Sequence, residues 1–328
     1  MMRCLLRFLA FAALLTGLGP AIAQDGAIDA PAPAPAPTIA TPVETVPADT
    51  GSAEAGRLDA RPALWVVRDA DTTIYLFGTI HILRPEIVWF EGPIRAAFDA
   101  SQQVVVEVVP RPGDEGLMAR RGIRTEGAPL SALLPAPHWQ RYVQALEAAG
   151  LGAAQADQVK PWFAALMLSV APLDNLGYTP EYGADAVIQA AATEAGKTLT
   201  GLETTEEQVG FFDTLPADDQ LALLKQTLDE IPSLHVTLEK MIGAWARGDP
   251  ERLGPLLNET MKGSTLLEKR LLAERNARWA DWIKARLDQP GTVFIAVGAG
   301  HLAGSASVQH MLRQRGLQAE LVRGAQPE

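Results

Sequence analysis

Short apolar runs and longer amphipathic ones take turns along most of the chain. Leu64–Arg68 and Ile74–Phe77 are two β-type runs parted by Asp69-Ala70-Asp71, which predicts a hairpin. Pro93–Ala100 reads as a helix with proline in its first turn. Val104–Val109 is almost entirely valine, the pattern of a strand buried on both faces. The middle has helical spacing over Pro137–Ala149, Pro161–Val170, Tyr182–Ala195, Ala217–Glu230 and Leu234–Arg247, with a short strand-like run at Lys197–Leu202. A long amphipathic helix is predicted over Leu266–Leu287 and ends at Gln289-Pro290-Gly291. Thr292–Val297 is an apolar strand, followed by a glycine-rich turn, a helix from Gly304 to Arg315 and a last strand over Gln318–Val322. Strands on both sides of a helical block predict an α/β fold (mixed α+β): a central sheet from N- and C-terminal strands, with a large helical insertion.

The first sixty residues follow other rules. In residues 1–23 a short positive start at Arg3 and Arg7 leads into an apolar run, Phe8 to Leu18, and then into Ala21-Ile22-Ala23. That order predicts a Sec-type signal peptide cleaved after Ala23, with a run too short for a stable membrane span. The expected location is therefore the periplasm or the exterior; an uncleaved signal anchoring the chain to the inner membrane is the alternative. Residues 24–61 hold ten Ala and six Pro and no aromatic residue, with Pro31 to Pro37 alternating proline and alanine. Such a stretch favours extended polyproline conformation and buries little, so it is read as a disordered linker. Residues 62–328 then form one domain.

Charge and composition narrow the function classes. The 328 residues carry 28 Lys and Arg against 39 Asp and Glu, a net charge of −11. That balance argues against a nucleic-acid partner, whose phosphates are met by basic residues. One cysteine, Cys4, supports neither a disulfide framework nor a thiol site. The chain has no His-Glu-x-x-His, no Gly-x-Ser-x-Gly and no phosphate-binding loop. Gly298-Ala-Gly300-His-Leu-Ala-Gly304 approximates a dinucleotide fingerprint, but too little chain follows it for a nucleotide domain.

What remains is a turn used twice. Tyr75-Leu-Phe-Gly78-Thr-Ile-His81 and Val293-Phe-Ile-Ala-Val-Gly298-Ala-Gly-His301 both run from an apolar strand into Gly-x-x-His. Each glycine is expected to permit a sharp turn. If both strands lie in one sheet, both imidazoles emerge at its edge, where α/β folds place ligands. Histidine there suits a metal ligand or a general base. Glu107 interrupts the valine run, and a carboxylate in so apolar a stretch needs a partner, a metal or a catalytic task. Glu203, ahead of the acidic helix start Glu206-Glu207, and Arg275-Asn276 on the long helix are further candidates; a solvated helix end or face would also explain them. His138, His235 and His310 read as ordinary surface or core histidines.

The residues YLFGTIHILRPE (75–86), VVVEVV, KPWFAALML (160–168), GLETTEEQ (201–208), ERNARWA (274–280) and FIAVGAGHLAG (294–304) resemble the TraB/GumN family. That family includes Tiki-type proteases and is similar to the erythromycin-esterase and ChaN-like proteins. The resemblance implies an α/β core with a helical insertion and, for the Tiki branch, a divalent-metal-dependent peptidase. Carried over, it places His81, Glu107 and His301 as metal ligands for Mn, Co or Zn, with Glu203 and Arg275 beside them in the catalytic site. Three functions follow as expectations: a metal-dependent hydrolase of peptide bonds, a metal-free esterase-like hydrolase, or a non-catalytic carrier of a ligand or metal. The expected partner is a peptide or small-molecule substrate. The residues leave its identity and the oligomeric state open.

Overall fold

The computed structural model describes residues 56–261 and 265–322. The signal peptide and most of the proposed linker lie outside the described residues. The first described strand, β1 (Leu58–Asp59), falls inside the stretch assigned to the linker and pairs in parallel with β4 (Ile87–Val88). Among the described residues, no helix is long and apolar enough to cross a membrane.

The hairpin forms as expected. β2 (Leu64–Arg68) and β3 (Thr72–Thr79) are antiparallel, closed by Asp69 Oδ1 accepting from the Thr72 amide at 2.9 Å. The six-stranded mixed sheet adds β5 (Gln103–Val108), β6 (Thr198–Glu203), β7 (Gly291–Gly298) and β8 (Glu320–Leu321) in the spatial order β6-β5-β7-β3-β2-β8. β3, β7, β5 and β6 are mutually parallel. Their carboxyl ends therefore share one edge, bringing the chain after Thr79, Glu107, Glu203 and Gly298 together. Strands from both ends of the domain do meet in one sheet, and β6, from mid-chain, extends it.

Both faces of the sheet are covered. Phe77, Val104, Val106, Phe294 and Ala296 pack beneath the helices Gly92–Ala100, Ala184–Glu194 and Leu234–Ala246. Ile74, Leu76, Val105, Val293, Ile295 and Val297 face the helix Glu274–Arg286 through Trp279 and Ile283. The pleat thus sends Val105 and Glu107 toward that second layer. A separate helical core, with Trp162, Phe163, Leu166, Phe212 and Leu224, lies apart from the sheet.

Departures from the sequence reading have local causes. Pro161–Asp174 outruns its expected end at Val170 and takes Pro172 into its last turn, where the ring forgoes one helical N–H bond. The helix Pro250–Met261 was not anticipated; Gly254-Pro255 within it reads as a breaker. The C-terminal helix is only Val308–Gln314: Gly304 takes φ +77°, and Ser307 caps the start by accepting from the His310 amide. The long helix is interrupted by a π-helical stretch, Lys269–Ala273, between Thr265–Glu268 and Glu274–Arg286. Such stretches recur at functional sites, and this one ends two residues before Arg275.

Candidate active site

β3 and β7 are adjacent and in register, with Thr79 opposite Gly298, so the two Gly-x-x-His turns leave the sheet side by side. Neither Gly78 nor Gly298 has positive φ. The expectation that they permit a sharp turn is corrected: they supply space. A Cβ on Gly78 would lie 3.0 Å from Ala299 Cα, so its absence lets the two turns touch. A Cβ on Gly298 would lie 3.1 Å from Glu107 Oε1, 3.2 Å from His81 Nε2 and 3.7 Å from His301 Cδ2. Gly298 is therefore the floor of a small space that all three side chains border.

Glu107 is 7% exposed, and a carboxylate so placed must be satisfied locally. Oε1 accepts from the Gly298 amide at 2.7 Å; Oε2 accepts from Arg275 Nη2 at 2.6 Å and Gln208 Nε2 at 3.1 Å. Glu203 receives Arg275 Nε at 2.8 Å, Arg275 Nη2 at 2.8 Å and Gln208 Nε2 at 3.2 Å. It is free to do so because the helix Thr205–Asp213 is capped by its neighbours, through the reciprocal Thr204–Glu207 capping box. Arg275 is fully buried between the rings of Phe211 and Trp279, with Cζ 5.2 and 4.7 Å from their centroids.

The two histidines differ electrostatically. His301 Nδ1 lies 2.6 Å from Asn276 Oδ1, while Asn276 Nδ2 donates to the Ala306 carbonyl at 2.7 Å. The amide's orientation is thus set, and the ring proton belongs on Nδ1. His301 Nε2 then accepts from Arg275 Nη1 at 3.0 Å. Burial, then the charges of Arg275 and His81, hold His301 well below the ordinary imidazole pKa. His81 is buried as well, which alone would lower its pKa. The charge and contact of Asp185, 2.7 Å from Nδ1, together with the charge of Glu107, outweigh burial and the opposing Arg275, so its pKa ends above the ordinary value. His81 Nε2 has no hydrogen-bond partner among the described residues.

The family model described as TraB/PrgY/gumN matches residues 63–321. The chain belongs to that family. A stretch of 152 residues is 34% identical to the Escherichia coli protein named "Uncharacterized protein YbaP", covering 46% of this chain and 56% of that one. A Treponema pallidum protein of unassigned function is 21% identical over 77% of this chain and 80% of its own length. The Danio rerio protein named "Metalloprotease TIKI1" is 25% identical over 82% of this chain and 65% of its own. This TraB/PrgY/gumN chain therefore spans little more than half of the first of these relatives. No solved structure matches it.

The five residues that the resemblance assigns to the site of this family member, His81, Glu107, Glu203, Arg275 and His301, meet at the carboxyl edge of the sheet. Three donors of the expected metal set border the Gly298 space, but they do not present three free lone pairs to one ion. His301 Nε2 faces a guanidinium that also holds Glu107, and a divalent ion joining them would stand beside that fixed cation. Among the described residues, no group of three or more His, Cys, Asp or Glu side chains is placed to hold a metal ion. In this arrangement the residues do not fit the three-ligand site.

Two members of the site were not read from the sequence. Gln208 lies on the inward stripe Thr205, Gln208, Val209 and Phe212, and a polar residue within that stripe was the available signal. Asp185 stands in the first turn of the helix Ala184–Glu194, where an acid is ordinarily read as solvated.

Proposed function

We propose that the chain is a hydrolase of amide or ester bonds in which His81 handles the proton. The observation that carries this reading is the buried His81 Nε2, without a hydrogen-bond partner among the described residues, bordering the same small space as Glu107 Oε1. In its neutral form His81 takes a proton from water in that space, and the hydroxide adds to the substrate carbonyl. Arg275, locked between two carboxylates and two rings, holds Glu107 in place beside that space without reorganising. His81 then returns the proton to the leaving amine or alcohol. His301, kept neutral near pH 7 by its lowered pKa, orients Arg275. Such a division between two histidines is how one site separates acid–base work from electrostatic support.

The test is hydrolysis of a panel of peptides and carboxylic esters by the purified chain and by His81→Gln. Turnover by the former and its loss in the latter support the reading; equal rates overturn it. A metal-dependent peptidase is the second reading, favoured by the name of the Danio rerio relative, and it requires Arg275 to release His301 Nε2. Activity lost with a chelator and restored by Mn, Co or Zn supports it. We also infer export from residues 1–23; a mature N-terminus at Gln24 in an extracytoplasmic fraction supports this.

A further inference from the structure

We propose that Asp185 is a positioning residue for His81, delivered by a dedicated docking contact between the helix Ala184–Glu194 and the end of β3. This rests on the reading of His81 as the proton carrier.

The docking contact is built from three consecutive residues. A Cβ on Gly183 would collide with the His81 carbonyl, so only glycine allows the chain to pass there. The Ala184 amide donates to the Ile80 carbonyl at 2.8 Å, tying the helix start to the residue before His81. Asp185 follows, with its Oδ2 at 2.7 Å from His81 Nδ1 and both side chains less than a tenth exposed. The N–H is not well aligned with the oxygen, so charge attraction carries the contact more than a linear hydrogen bond does. Asp185 Oδ1 has no hydrogen-bond partner among the described residues. A buried carboxylate in that state holds its neighbour's proton toward itself. The Nδ1 proton is therefore kept on the Asp185 side, and Nε2 is turned toward Gly298 and Glu107. Without the carboxylate either nitrogen could carry the proton and the ring could turn.

The experiment uses the full chain with ¹⁵N-labelled histidine, comparing wild type with Asp185→Asn, Asp185→Ala and Asp185→Glu. His81 is assigned by its loss in His81→Gln. In the wild type, its neutral ring should show the pattern of a protonated Nδ1. In Asp185→Asn, which keeps the shape and removes the charge, that pattern should shift toward a mixture, while His301, held by Asn276, stays unchanged. On a substrate that the wild type turns over, kcat should fall roughly 10–100-fold with KM unchanged, and Asp185→Glu should recover part of the loss. Unchanged His81 nitrogens in both Asp185→Asn and Asp185→Ala overturn the proposal, as does a shifted spectrum with kcat intact. A wild type inactive on every substrate refutes the hydrolase reading alone, because the spectra still report whether Asp185 orients His81.

Discussion

The two Gly-x-x-His turns begin alike, on adjacent parallel strands, and end differently. After Gly298 the chain closes a 3₁₀ turn, Ala299–Leu302, that carries His301 under Trp279, with ring centroids 4.3 Å apart. After Thr79 it runs on without such a turn, and His81 meets the start of another helix. One imidazole is backed at Nδ1 by an amide and faced at Nε2 by a guanidinium; the other is backed by a carboxylate and turns Nε2 to the small space over Gly298. The lesson is that repetition of a short motif fixes where a side chain leaves the sheet but not its charge state. That state comes from the groups that other elements bring to it, and here they push the two pKa values apart.

The largest test removes the guanidinium that engages only one of the pair. Arg275→Met strips the buried Glu107 of its guanidinium and leaves Glu203 only Arg278, at 3.2 Å, and should cost about 3–5 kcal/mol, read as a lower urea midpoint. A midpoint equal to the wild type would mean that Arg275 does not hold the second histidine's surroundings. Next come the glycines. Gly298→Ala places a methyl between His81 and Glu107 and should lower turnover by on the order of 100-fold with a folded circular dichroism spectrum. Gly78→Ala presses on the Ala299 backbone and should instead cost about 1–3 kcal/mol, read by denaturation. Similar effects of the two substitutions on both activity and stability would erase the distinction between the turns.

Asn276→Leu addresses His301 alone. It leaves the His301 N–H and the Ala306 carbonyl without their partners and should cost about 1–3 kcal/mol, with His81 unaffected by nuclear magnetic resonance. The smallest effect is in the pH dependence of the melting temperature. His301 has a folded pKa below its unfolded value of about 6.5, so its contribution is present above that pH and is lost as pH falls toward the folded value. His81 has a folded pKa above it, so its contribution is present below about pH 6.5 and is lost as pH rises through the folded value. His301→Gln should therefore flatten the acidic limb of the melting profile, and His81→Gln the alkaline limb. Identical limbs in both variants would contradict the opposed environments.

Much of the site is legible in the residues because strands write their faces into the chain. Glu107 is conspicuous only because its neighbours are valines, and a period of two already assigns it to the layer of Val105. The histidines are conspicuous because two apolar runs end in the same spacing. Asp185 and Gln208 carry no such mark. Each sits on a helix among residues that suit an ordinary buried face, and its role depends on which strand end that helix meets. The purpose of Gly78 and Gly298 was hidden for the same reason: a turn glycine and a glycine needed for clearance are spelled alike.

By itself, then, the sequence determined the α/β class, the hairpin, the apolar strands and the five side chains that converge, because each follows from local periodicity and from the cost of burying charge. Only the tertiary structure decided that β6 joins the sheet beside β5, that Asp185 stands behind one histidine and Asn276 behind the other, and that Arg275 occupies the place between Glu107, Glu203 and His301. Those facts depend on packing between segments distant in the chain, and no local pattern encodes which helix docks at which strand end.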